Sequence, residues 1–127
     1  MGTVHELATM LASLPSNVGA NYDVGAPLWL GEIPYPDGYE ALDPKRIWNA
    51  HLRGAQCSPG YKDCQETFAD QGQIDLKGRL QAFLRDGYRG TLSLECEFTA
   101  QGLAQTETAT RSLDGLLKVM SDAAASG

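Results

Sequence analysis

The first pattern along the chain is helical. Val4, Leu7, Leu11 and Leu14 recur at three- and four-residue spacing behind Thr3, whose side chain suits an N-cap, and Pro15 ends the run. The next stretch, residues 18–23, is short and lies between Ser16-Asn17 and the breakers Gly25 and Pro27, which predicts a buried strand. Residues 46–52 and 91–98 predict two further strands, the last entered through the turn-like residues 86–90. A short helix is expected around 38–42, and a clearer one carries Leu76, Leu80, Phe83 and Leu84 before Gly87. A final helix carries Ala109, Leu113, Leu116, Leu117 and Met120 and frays in the tail 122–127. Residues 56–72, rich in Gly, Pro, Asp and Gln, read as one long loop. Strands alternating with helices, with no hairpin signal between them, predict an α/β fold with three parallel strands in the order α-β-α-β-α-β-α.

Side chains alternate across a strand, so parity sorts each strand into two faces. Asn21 and Asp23 share one face, opposite Val18, Ala20 and Tyr22; Asn49 and His51 oppose Trp48, Ala50 and Leu52; Ser93 and Glu95 oppose Leu92, Leu94 and Cys96. The apolar sets are expected to pack on helices. In a barrel, the inward residues near the carboxyl ends of the strands gather at the mouth where active sites form. Asp23, His51 and Glu95 each sit near such an end. Two carboxylates and an imidazole there make an oxygen/nitrogen set suited to a divalent ion (Mn²⁺, Mg²⁺, Co²⁺ or Zn²⁺) with coordination positions left open. Each residue also has a plainer reading: Asp23 as an acceptor of turn amides, His51 as a hydrogen-bonded core side chain. Glu95 is the hardest to explain that way, because a glutamate within Leu-Ser-Leu-Glu is costly to bury without a partner.

Bulk properties narrow the field. The 127 residues, 43% hydrophobic and 20% charged, match a soluble packed domain but fall well short of the roughly 250 residues of a complete TIM barrel. A net charge of −6 supplies no basic stripe, so no nucleic-acid partner is expected. No apolar run of about 20 residues and no basic-then-hydrophobic amino terminus is present, which predicts no membrane association and a cytoplasmic location. Cys57, Cys64 and Cys96 match no common zinc spacing and are expected to be reduced thiols. His5, early in the first helix, is expected to be solvated.

Several segments, in order, resemble the sugar phosphate isomerase/epimerase family, the xylose isomerase-like TIM barrels. Gly19-Ala20-Asn21-Tyr22-Asp23-Val24-Gly25 is similar to the family's segment in which an aspartate ends a strand, and residues 35–42 to the loop and helix after it. Residues 46–55, Arg-Ile-Trp-Asn-Ala-His-Leu-Arg-Gly-Ala, resemble its H-x-H-x-K-D strand. Residues 72–75 resemble its glycine-rich turn into a helix, and residues 86–95 its last strand. The resemblance implies that residues 1–127 are the carboxyl-terminal part of such a barrel, holding strands six to eight, with Asp23, His51 and Glu95 as metal ligands. A fourth ligand, a glutamate on strand five, has no counterpart. The implied activity is isomerisation or epimerisation of a small sugar or sugar phosphate, in which the metal holds adjacent substrate oxygens and two carboxylates move protons at carbon. By the same resemblance, Glu95 would be the remaining catalytic carboxylate. The pattern departs from the family at Asn49, at Arg53-Gly54, at Asp70 and at Cys96-Glu97.

Three βα units leave two sheet edges uncovered, so a homo-oligomer or association with the missing barrel half is expected, and Met1 just ahead of a helix fits a truncated reading. The alternative function is a noncatalytic remnant or assembly module of the same fold. An endonuclease IV-like phosphodiesterase ranks third, because its metal cluster needs more histidines than the two present.

Overall fold

Thr3 begins the first helix by a reciprocal cap: its hydroxyl accepts the Glu6 amide at 3.1 Å, and its own amide donates to the Glu6 carboxylate at 2.8 Å. The resulting α1 (Val4–Ala12) buries Val4 and Leu11. The protein is described here by a computed structural model covering residues 2–126. His5 is exposed, and its ring sits on Glu32, which also accepts the Val4 and His5 amides.

Three strands form a parallel sheet: β1 (Ala20–Tyr22), β2 (Ile47–Leu52) and, after the hairpin β3 (Gly54–Cys57) and β4 (Cys64–Thr67), β5 (Thr91–Leu94). The order is β1-β2-β5, with β2 in the centre. Ala20, Tyr22, Ala50 and Leu52 point to the helix side and are buried, as parity predicts. Trp48 does not. Ala20 pairs with Ile47 but Asn21 pairs with Asn49, so one extra residue bulges out of β2 and the alternation slips. Ile47 takes the covered position, and Trp48 is left exposed with its ring against Gly19, where any Cβ would fall 2.1 Å from the indole.

Helix α3 (Leu76–Arg85) lays Leu76, Leu80 and Phe83 on the sheet and ends through Gly87 at φ 69°, the left-handed turn expected there. Phe83 stacks on Tyr88 and meets Tyr22 and Tyr39 edge-on, so one aromatic group joins sheet, helix and connecting segment. Each large apolar side chain fully buried here contributes about 1.5–3 kcal/mol. Arg79, on the same helix, is fully buried, and burial lowers its pKa to about 10, which leaves it protonated at neutral pH.

The final helix α4 (Gln105–Ala125) packs beside α3 with a face the leucine pattern does not predict. It buries Thr108, Ser112, Gly115, Leu116 and Ala123 and leaves Leu113 and Leu117 exposed. Small residues face inward because backbone docks there: Ser112 accepts the Ala69 amide at 2.9 Å and Thr108 accepts that of Ala100 at 3.1 Å.

Three further expectations are corrected. A helix, α2 (Gly25–Trp29), forms where Gly25 and Pro27 read as breakers; proline is tolerated in a first turn, where amides lack intrahelical partners. The supposed loop 56–72 contains most of the antiparallel β3–β4 hairpin, and its first strand was hidden because Gly-Ala-Gln-Cys carries no β-branched or aromatic residue. Cys57 and Cys64, directly opposite in that hairpin, form a disulfide rather than two reduced thiols; Cys96 alone is free.

Candidate metal centre

Parallel pairing sets the ends of β1, β2 and β5 side by side, and one residue from each end faces the same space. Asp23 follows β1 directly, His51 is the penultimate residue of β2, and Glu95 follows β5, its amide donating to the Leu52 carbonyl at 2.9 Å. Ligand atoms of Asp23, His51 and Glu95 all lie within 4.8 Å of one another, and all three side chains are half-buried. The three residues singled out in the sequence are thus brought together.

A row of polar contacts across the inner face holds the imidazole. Ser93 donates to Asn49 Oδ1 at 3.1 Å, the Asn49 amide donates to Asn21 Oδ1 at 2.9 Å, and Asn21 Nδ2 lies 3.2 Å from His51 Nε2. On the other side of the ring, His51 Nδ1 is 2.7 Å from Glu95 Oε1. Asn49, which replaces a histidine of the family pattern, serves as a link in this row. Asp23 also performs the plainer task foreseen for it: Oδ1 accepts the Gly25 amide at 3.0 Å at the start of α2.

Arg53 enters the same space from the residue that follows β2. Its side chain is 9% exposed; Nε is 3.4 Å from Asp23 Oδ1, Nη2 touches Glu95 Oε2, and Nη1 is 3.4 Å from Glu97 and 4.0 Å from Glu66. One guanidinium therefore faces four carboxylates. Glu66 arrives on the hairpin strand β4 and accepts the Glu97 amide with both oxygens, at 3.0 and 3.2 Å. Burial raises its pKa, against the opposing pull of the Glu97 amide and Arg53. Sequence reading missed Glu66 and Glu97, and only recognition of the hairpin would have brought Glu66 to the site. The cluster opens into a cavity of about 900 Å³, lined also by the apolar side chains of Leu7 and Met10 of α1, Trp29 and Leu30.

The donor set fits a divalent cation. Two carboxylates and one imidazole are the ligands that Mn²⁺, Mg²⁺, Co²⁺ and Zn²⁺ accept.

No family model and no curated protein matches the sequence. Solved structures do match. A xylose isomerase domain protein from Planctomyces limnophilus superposes with TM-score 0.73 at 19% identity, over 96% of this chain and 43% of its own. A xylose isomerase domain protein from Alicyclobacillus acidocaldarius gives 0.70 at 23% identity, over 95% and 44%. An IOLI protein with a bound zinc atom gives 0.70 at 21% identity, over 93% and 42%. The chain has the α/β fold of part of a xylose isomerase-like TIM barrel and spans less than half the length of these structures. Among the described residues, no helix is long and apolar enough to cross a membrane.

Proposed function

We propose that this chain is the metal-binding carboxyl-terminal part of a sugar isomerase or epimerase, in which Asp23, His51 and Glu95 hold one divalent cation and Glu95 also carries a proton. The observation that carries the reading is the meeting of two carboxylates and an imidazole, from three adjacent parallel strand ends, within 4.8 Å at the mouth of a TIM-barrel segment. The bound zinc of the IOLI protein, on the same fold at 21% identity, supports it.

A divalent cation bound there supplies positive charge to adjacent oxygens of a hydroxycarbonyl substrate, where negative charge develops as a proton leaves the neighbouring carbon. The residues of the chain do the rest. The Ser93–Asn49–Asn21 row fixes the His51 ring, so one nitrogen keeps a constant direction. Arg53 balances part of the carboxylate charge and, at the cavity wall, donates to substrate oxygens. Glu95 takes or returns the proton at carbon.

The test is titration of the purified chain with Mn²⁺, followed by electron paramagnetic resonance, for the wild type, Asp23→Ala and Glu95→Ala. One site per chain is expected, and each substitution should weaken it by about 100-fold, the upper end of what even outer-shell changes cost. Equal binding by all three would remove the assignment. Proton exchange between a ketose and D₂O, read by NMR, separates an acid/base site from the noncatalytic alternative: metal binding without exchange, even in the presence of a complementing barrel half, favours the latter.

A further inference from the structure

We propose that Arg79 is a positioning residue for the strand-end cluster: from the helix side of the sheet, its guanidinium ties the peptide that leads into Asp23 to the peptide that leaves His51, and so fixes the spacing of those two side chains. This rests on the metal-centre reading for its consequence, though not for its geometry.

The geometry is direct. Arg79 Nη1 donates to the His51 carbonyl at 2.9 Å and Nη2 to the Tyr22 carbonyl at 3.0 Å. The Tyr22 carbonyl belongs to the Tyr22–Asp23 peptide. The last register pair between β1 and β2 is Tyr22 with Ala50, so Asp23 and His51 lie one residue beyond the point where the ladder holds the two strands together. A planar fork of fixed width bridges the strands at that place. The fork is itself packed between rings, with its central carbon 4.3 Å from the Tyr22 ring centroid and 5.4 Å from that of Phe83.

A purely packing role fits poorly. Residues 76, 79, 80 and 83 complete the i, i+3, i+4, i+7 stripe of α3, and the other three are Leu, Leu and Phe. An apolar side chain would fill the stripe at lower cost than a wholly buried guanidinium whose Nε has no hydrogen-bond partner. A lysine keeps the charge at this position but reaches the carbonyls as a point, without the two-pronged width.

The experiment compares wild type, Arg79→Lys and Asp23→Ala. In Arg79→Lys, the backbone ¹⁵N resonances of Asp23 and Leu52, whose peptide oxygens Arg79 holds, should shift while those of Leu113 and Ala123 stay, and Mn²⁺ affinity should fall about tenfold, as for loss of a second-shell partner. Near-UV circular dichroism should remain that of a folded chain. Unshifted Asp23 and Leu52 resonances with wild-type Mn²⁺ affinity would overturn the proposal. Shifted resonances in a protein that takes no Mn²⁺ even as wild type would leave the positioning role standing and remove the metal centre. Should Arg79→Lys fail to fold, the wild type decides: saturating Zn²⁺ is expected to move the Arg79 guanidinium resonances, and their indifference to Zn²⁺ would sink the idea.

Discussion

The side-chain amide nitrogen of Asn21 lies 3.2 Å from Nε2 of His51, two residues upstream of Asp23 and on the same face of the sheet. Nδ1 on the other side of the ring lies 2.7 Å from Glu95 Oε1, so the asparagine and the glutamate hold the imidazole between them and fix its orientation.

Asn21→Ala should therefore weaken Mn²⁺ binding by about 10-fold or more while leaving the fold intact, since Asn21 is exposed and outside the apolar core. Calorimetric titration checks the affinity and a melting curve checks the fold. An affinity equal to wild type would show that the ring is held by Glu95 alone.

The docking of α4 rests on polar contacts. Ser112→Ala removes the acceptor of the Ala69 amide in a fully buried setting and should cost about 1–3 kcal/mol of stability. The measurement is the urea midpoint at unchanged slope. Leu117→Ala on the exposed side of the same helix should stay within about 0.5 kcal/mol of wild type.

Hydrogen bonds from Arg85 and from the Tyr39 hydroxyl lower the Asp86 pKa from 3.8 to about 2. A depressed folded-state pKa stabilises above the unfolded value, and the benefit disappears as pH falls through the folded one. Asp86→Asn should thus melt below wild type at neutral pH, with the two curves converging as the pH drops from about 4 towards 2. The gap is expected to be small, because the group is solvent-screened. Melting curves across that range provide the check.

The Cys57–Cys64 bridge leaves one free thiol. A thiol-specific reagent under denaturing, nonreducing conditions should find one group per chain, and all three after reduction. Three groups before reduction would mean that the hairpin is held by its backbone pairing alone.

The convergence of the candidate site residues was legible in the sequence because it depends on period-two alternation and strand ends, both local properties. Asn21 and Asp23, Asn49 and His51, and Ser93 and Glu95 each share a face in the structure as parity requires. Alternation failed where the chain gained a residue: the bulge at Trp48 breaks the phase, and nothing in Arg-Ile-Trp-Asn marks it. The β3–β4 hairpin escaped notice because pairing, rather than composition, makes its strands, and Glu66 and the disulfide were lost with it. Arg79 meets the Tyr22 carbonyl across 57 residues, a separation over which sequence pattern carries no pairing information. Its one trace was a charge set inside the apolar stripe of α3. On α4 the leucines misled, because backbone groups docking on Ser112 and Thr108 outranked apolar area in choosing the inward face.

The chain has two tryptophans, placed differently. Trp29 borders the cavity at the carboxyl ends of the strands, with its indole nitrogen donating to the Cys64 carbonyl at 3.1 Å, whereas Trp48 sits against Gly19 near the start of β2. Their fluorescence is consequently divided between an observer and a bystander. Quenching by a paramagnetic ion at the strand ends should fall on Trp29, and a Trp48→Phe protein would give an optical readout of the mouth free of background from the opposite end.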